Sequence, residues 1–388
     1  MWGVYNADLY SEDDREIEVM EPVRVLNLFT IMNRGGAETM VMNYYRKINR
    51  EKVQFDFLVH REEEGAYEQE IKELGGRIYR MPPMYPQNFS LYKKKIREFF
   101  EEHKEYKIIH SHMSELGYFA LKEAARQEIP VRICHAHNAP HGFEWKMIVR
   151  NYFKKRMMPY LTHMFMCGKE SGDWLFGKEN EDKFIQLNNA IDAERFRYDS
   201  KKEEAIRKEL NLENKFVVGV VGRMSEPKNP AFITSVFSEI AKLNPAAMMI
   251  WAGDGELKPL VLNTIKKNKI EDKVVLLGSR NDVNKLYSAM DVLLMPSKFE
   301  GLGLVFVEAQ IAGLPCFGST NVPKDVDISP NMNYISLNES PKVWAQRICE
   351  TPHLQRDEFK DCATKAGFEI ATKKNSLVEL YDGVLQTK

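Results

Sequence analysis

The sequence predicts an α/β protein of two doubly wound domains facing each other across a cleft. Three observations carry this expectation. The chain has 388 residues, beyond the roughly 250–300 at which a single core usually divides. Short apolar runs alternate with longer amphipathic stretches, the pattern of βαβ units around a mostly parallel sheet. The alternation lapses over the polar stretch 192–200 and then begins again.

Residues 1–20 (MWGVYNADLYSEDDREIEVM) are acidic and polar, unlike a signal peptide, and read as an extension before the first strand. In the domain expected over 21–195, strands are predicted at Val23–Thr30, Phe55–His60, Arg77–Met81, Ile108–Ser111, Val131–Ala136, Met164–Cys167 and Phe184–Ile191. Helices are predicted at Ala37–Ile48, Ala66–Leu74, Tyr92–His103 and Leu116–Glu128. The domain expected over 196–366 opens with a charged helix, Lys202–Leu210. Strands follow at Val217–Val221, Met248–Ala252, Val274–Leu277, Val292–Met295 and Pro315–Gly318, alternating with helices at Ala231–Leu243, Leu257–Asn268, Val283–Ala289 and Leu304–Ala312. In the tail, 367–388, the apolar residues from Leu377 onward have helical spacing. Two such domains leave a cleft where the carboxyl ends of both sheets face a shared ligand.

Composition bounds the function. Apolar residues make up 44% and charged residues 29%, an ordinary globular balance that excludes disorder and coiled coil. With 55 Lys and Arg against 56 Asp and Glu, no global basic field exists to hold nucleic acid. The 5 cysteines are scattered and form no CxxC pair, which argues against a disulfide framework or zinc knuckle and fits a reducing compartment. No apolar run approaches the roughly eighteen residues of a spanning helix, so the cytoplasm is the expected location.

Pro296–Pro315 (PSKFEGLGLVFVEAQIAGLP) is the most informative stretch. It reads as a strand end, a glycine-bearing loop and a helix stopped at Gly313. Gly301 and Gly303, flanking Leu302 and preceding Leu304, let backbone N–H groups approach a ligand at a positive helix end. Glu300 and Glu308 beside such a site can accept hydrogen bonds from vicinal hydroxyls, although a solvated loop acid and a helix-start glutamate account for the spacing equally well. Upstream, VVGVVGRMSEPKN ends a buried strand in Gly222-Arg223 and brings Lys228 before the next helix. Two cations there can neutralise a diphosphate, Arg as a planar fork and Lys as a point charge. WAGDGEL (251–257) is a weaker strand–turn–helix signal. In the first half, Arg34-Gly35-Gly36-Ala37-Glu38 opens a helix after the first strand, again a backbone-donor site. Histidines come as two HxH pairs, His110/His112 and His135/His137. Residues i and i+2 share a strand face, so each pair can point into the cleft. No Cys, Asp or Glu stands nearby in sequence to complete a metal site, and none is expected. Lys146–His163 mixes basic and apolar residues. Such a segment can lie on an anionic membrane surface, but a helix covering its own domain is the commoner arrangement, and Pro159 limits its length.

Together these motifs resemble one family, the retaining nucleotide-sugar glycosyltransferases of family 4, with the GT-B fold of two Rossmann-like domains. The resemblance rests on GGAE (35–38), HSHM (110–113), HAHNAP (135–140), NNAID (188–192), VGRMSEPKN (221–229), AGDGELK (252–258), LLGSRNDV (276–283), the E-x7-E element Glu300–Glu308, and AGLP (312–315). It covers nearly the whole chain from Val23 onward, and its flavour is that of the bacterial polysaccharide and capsule branch. The resemblance implies that Arg223 and Lys228 grip the donor diphosphate and Glu308 the ribose. It implies further that Glu300 and the backbone after it hold the donor sugar and that the Arg280 region lies against the base. His137, preferred to His135, would touch the sugar beside the reacting carbon, with Gly35 and Gly36 on the phosphate side. No cofactor or metal is implied. Implied partners are a nucleoside-diphosphate sugar, with UDP-sugars commonest, and a saccharide or polyprenyl-diphosphate-linked saccharide acceptor, with association at the inner face of the membrane. The tail helix would cross back to the first domain. The chain departs from the family at Asn229-Pro230, where many members have glycine after the lysine. A GT-B nucleotide-sugar epimerase and a non-catalytic sugar-nucleotide-binding partner are the rival readings.

Overall fold

The computed structural model describes residues 21–137, 146–187, 189–352, 356–359, 361–370, 377, 379–381 and 383. The extension expected over 1–20, residues 138–140 of HAHNAP, Asn188 and most of the tail lie outside these residues.

Among the described residues there are two parallel sheets with α-helices between their strands. The first contains β1 (Val23–Phe29), β2 (Val53–Val59), β3 (Ile78–Arg80), β4 (Ile108–Ser111), β5 (Val131–Ala136), β6 (His163–Met166) and β7 (Phe184–Gln186), ordered β3-β2-β1-β4-β5-β6-β7. The second contains β8 (Phe216–Val221), β9 (Ala247–Ala252), β10 (Val274–Gly278), β11 (Val292–Met295), β12 (Cys316–Ser319) and β13 (Met332–Ile335), ordered β10-β9-β8-β11-β12-β13. Each sheet is the centre of one α/β domain, and its strand order reverses once, between β1 and β4 in the first and between β8 and β11 in the second. Crevices outside the carboxyl ends of the strands at such reversals are where ligands bind in doubly wound sheets.

The central strands are near-continuous apolar runs because both faces are covered. All of Val53–Val59 is buried, as are five of the six residues of Phe216–Val221. Where the pattern weakens, the structure departs from the sequence expectation. The edge strand β13 and the helix Pro341–Cys349 extend the second domain beyond the last strand read from the sequence. MNYI is short, and its two middle residues are only partly buried, so it carries no apolar run. The run Phe184–Ile191 pairs in the sheet only as far as Gln186. Ile191 bridges Glu369 instead, its N–H donating to the Phe368 carbonyl at 2.8 Å. The polar stretch 192–200 holds a short helix, Ala193–Phe196. The helix Ser200–Glu209 then begins with Asp199 accepting from the N–H groups of Lys201 and Lys202 at 2.9 and 3.3 Å, an N-cap that satisfies otherwise orphaned donors.

Ile370, Leu377 and Tyr381 are buried in the core of the first sheet, and Tyr381 Oη lies 2.8 Å from His110 Nδ1. These residues tie the end of the chain to the first domain after it has passed through the second.

The loops after β8 and β9 touch backbone to backbone. Gly253 has φ +144°, and a Cβ there would lie 2.1 Å from the Gly222 carbonyl oxygen. Only glycine allows this approach. Gly253→Ala should therefore destabilise the protein by on the order of 2–3 kcal/mol or more, read as a lowered urea midpoint. Wild-type stability in that variant would mean that the two loops are free to part.

Candidate active site

The loops that leave β8 and β11 meet at the strand-order reversal of the second sheet. After β8 the chain passes Gly222 and Arg223 and makes a short turn, Glu226–Lys228. Asn229 then takes the left-handed conformation (φ 59°, ψ 51°), and Pro230 starts the next helix at its first turn. The departure from glycine at 229 thus leaves the turn intact, because Asn tolerates this region better than other non-glycine residues. Asn229 Nδ2 donates to the Pro296 carbonyl at 3.2 Å, and the Lys298 N–H to the Pro227 carbonyl at 2.8 Å. These bonds lace the two loops together.

Lys228 Nζ lies 2.6 Å from both carboxylate oxygens of Glu300, and Ser297 Oγ donates to Glu300 Oε1 at 2.6 Å. Glu300 is 7% exposed. Gly303 follows, left-handed at φ +87°, and starts the helix Leu304–Ile311 with no side chain capping its N–H groups. That helix end, bordered by the exposed Gly301 and partly buried Leu302, is a ready anion- or hydroxyl-binding surface. One turn on, the partly buried Glu308 accepts from Tyr287 Oη at 2.7 Å. Burial pushes its carboxyl up to about 7, and the Tyr287 bond and the Arg195 charge oppose the rise.

Not every expected residue joins this group. The Arg223 side chain is exposed and pairs with the exposed Glu256 at 3.2 Å, a weak tie in water that leaves the guanidinium free to turn inward. Arg280 donates twice to Asp282, at 2.8 and 2.9 Å, and to Glu209 at 3.1 Å. Gly35 precedes the helix Gly36–Lys47 in the other domain, likewise without a side-chain cap. Arg34 beside it bonds Asn281, which brings the first domain's glycine turn against the second domain's 280–282 loop.

The histidines are packed differently from two pairs facing a cleft. His110 and His135 are buried at 1% and 0% exposure and His112 at 8%; only His137 of the four is partly open. The rings of His110 and His112, and those of His135 and His137, stack at 4.2 Å. Burial holds all four neutral near pH 7, with His110 and His137 lowered to about 3. Asn27 Nδ2 donates to the Val25 and Asp56 carbonyls, so its Oδ1 accepts from His112 Nε2 at 3.3 Å. His112 Nδ1 is then a lone pair that accepts from His137 Nε2 at 2.8 Å, which leaves His137 Nδ1 unprotonated, 3.2 Å from Cys167 Sγ.

Sequence reasoning missed several of these partners. Ser297 and Tyr287 have no local signature. Neither has Cys167: only the parallel pairing of β5 and β6, with Ala136 opposite Met166, brings the next residues, His137 and Cys167, out side by side. Glu38 sits in the first turn behind Gly35, and burial pushes its carboxyl up to about 7.

Known proteins fit this arrangement. Residues 34–195 match the family model described as Glycosyltransferase Family 4, and residues 201–348 match that described as Glycosyl transferases group 1. EpsF of Bacillus subtilis (strain 168), named as a glycosyltransferase, is 33% identical over 371 residues, 92% of this chain and 96% of that one. The UDP-Gal:alpha-D-GlcNAc-diphosphoundecaprenol alpha-1,3-galactosyltransferase of Escherichia coli is 29% identical over 321 residues, 77% of this chain and 79% of that one. Among solved structures, Anabaena HepE in complex with UDP-glucose superposes with a TM-score of 0.75 at 17% identity, covering 93% of this chain and 99% of that chain. WaaG, a glycosyltransferase involved in lipopolysaccharide biosynthesis, gives 0.68 at 15%, covering 89% and 94%. At such identities these two likenesses are of fold.

The raised Glu308 carboxyl has a measurable consequence. Its ordinary value is 4.5 and its folded value about 7, so the fold disfavours the charged form. The penalty is absent below pH 4.5 and complete above about 7. Relative to Glu308→Gln, the wild type should lose about 1–3 kcal/mol of unfolding free energy between pH 5 and pH 8, measured by urea denaturation. Parallel pH profiles would contradict the assignment.

Proposed function

The chain belongs to the family 4 glycosyltransferases of GT-B fold, and on that premise we propose that it moves a hexose or N-acetylhexosamine from a UDP-sugar, with retention, onto a saccharide carried by polyprenyl diphosphate. The observation that carries the donor side is the convergence of Lys228, Glu300 and the uncapped start of the helix Leu304–Ile311, with Glu308 one turn along. Lys228 and Arg223 offset the charge that develops on the departing diphosphate, so the chemistry needs no bound metal or cofactor. Glu308 accepts hydrogen bonds from the ribose hydroxyls. Glu300 and the N–H groups from Gly301 to Leu304 hold the sugar. The C1–O bond to the diphosphate breaks, the acceptor oxygen bonds C1 on the same face, and its proton passes to the leaving diphosphate. His137 and the Gly35-Gly36 turn line the opposite wall.

The acceptor side draws on the Escherichia coli relative, whose name specifies a diphosphoundecaprenol-linked sugar, and on one surface feature. The helix Lys146–Met157 exposes Ile148, Val149 and Tyr152 to 69%, 47% and 52%, beside exposed Lys155 and Arg156. An apolar stripe flanked by cations suits the interface of an anionic membrane. No helix among the described residues is long and apolar enough to cross one. We propose peripheral association at the inner membrane face and a place in surface-polysaccharide synthesis of the capsule or exopolysaccharide kind.

The test is a donor scan with polyprenyl-diphosphate saccharides and a chelator present. A UDP-sugar should be consumed only with acceptor, giving an α-linked product from an α-linked donor, and Glu308→Ala should lower kcat/KM by roughly 10²-fold or more. Isomerised free nucleotide sugar would favour an epimerase. Full dependence on added divalent ion would overturn the metal-free mechanism.

A further inference from the structure

Cys167 Sγ sits among groups with too few protons for their lone pairs. It lies 3.2 Å from His137 Nδ1, 3.3 Å from His135 Nε2, 3.3 Å from Asn189 Oδ1 and 3.8 Å from Met40 Sδ. The bond order set by Asn27 and His112 makes His137 Nδ1 a lone pair, and a thioether has only lone pairs to offer. The thiol has one proton to give, and His135 Nε2 a second in the tautomer that carries it there, against the lone pairs of His137 Nδ1, Asn189 Oδ1 and Met40 Sδ. Such a surplus of converging lone pairs is the electrostatic shape of a cation site.

The spacing fits one. Tetrahedral bonds of about 2.0–2.3 Å place ligand atoms about 3.3–3.8 Å apart, close to the separations of 3.2 to 3.8 Å around Cys167 Sγ. Ligand atoms of His135, His137 and Cys167 all lie within 4.8 Å of one another. His137 Nε2–H is held by His112, itself held by Asn27, the outer support that ligating histidines usually have. His135 Nδ1 has no hydrogen-bond partner among the described residues, so the outer support comes through His137 alone.

We propose that His135, His137 and Cys167, with Met40 as a fourth and softer donor, form a binding site for a thiophilic d10 cation, zinc or copper(I). Two imidazoles, a thiolate and a thioether are the donors such ions prefer over magnesium or calcium. On binding, the S–H bond breaks, the sulfur–metal bond forms, and the proton leaves to solvent with no change of oxidation state. Cys167 and His137 are both partly exposed, which gives the ion its way in. Lys228, Glu300 and Glu308 are not among its ligands. On the donor-side reading above, an ion there takes His137 from the sugar and slows transfer; ion binding itself does not depend on that reading.

The purified chain would be titrated with zinc against a chromophoric chelator, and separately with copper(I), kept reduced by ascorbate, against bicinchoninate. One equivalent of one of the two should bind. Cys167→Ser should weaken binding by more than the roughly 10–100-fold that loss of an outer-shell partner costs, and Cys349→Ser, at an exposed cysteine, should leave it unchanged. If Cys167→Ser fails to fold, X-ray absorption of the metal-loaded wild type decides: sulfur and imidazole nitrogen should surround the ion at about 2.0–2.3 Å, and a shell without sulfur would overturn the site. No stoichiometric binding of either ion, unchanged binding in a folded Cys167→Ser, or loss of binding in Cys349→Ser would each overturn the site.

Discussion

The Lys228–Glu300 ion pair is the interaction on which the second domain's binding surface depends. With Nζ 2.6 Å from both carboxylate oxygens and Glu300 7% exposed, the pair costs desolvation that its attraction barely offsets. Its value is geometric. It ties the turn after β8 to the loop after β11 across the strand-order reversal, and Asn229, Ser297 and Lys298 reinforce that tie. The start of the helix Leu304–Ile311, and with it Glu308, inherit their positions from this joint. On the proposed reading, a diphosphate entering the site would meet a cation already aimed, so little reorganisation would be left for the reaction.

The first domain answers with a different chemistry. Its contribution at the corresponding reversal is a neutral imidazole stack with a thiol at its edge. On the proposed reading, a stack kept neutral by burial would add no charge beside the diphosphate, while its hydrogen-bond order leaves His137 Nδ1 unprotonated. The bond of Arg34 to Asn281 joins the two domains directly, and the tail residue Tyr381 returns to His110 within the first domain's core.

Much of the fold was legible because its strands are buried on both faces and so read as unbroken apolar runs. β2 and β8 are examples, and the turns between them carry glycine and proline. The half-exposed edge strand β13 carries no such run and escaped. The donor-side motifs were legible because each sits directly after a strand, at spacings of a few residues. What the sequence could not show is partnership across distance. Ser297 holding Glu300, Tyr287 holding Glu308, and Cys167 closing on two histidines are set by sheet order and packing. No cysteine stands near the histidine pairs in sequence, yet β6 brings Cys167, 30 residues from His137, to 3.2 Å from its Nδ1.

The most direct test of this account is calorimetric titration of UDP, with chelator present, into the wild type, Lys228→Ala and Glu300→Ala. UDP lacks the sugar, so the account predicts that Lys228→Ala weakens it by at least roughly tenfold, about 1.4 kcal/mol. Glu300→Ala frees the lysine but breaks the joint that positions the helix start and Glu308, so it should weaken UDP as well. Unchanged UDP affinity in Lys228→Ala would contradict the claim that this pair builds the diphosphate site.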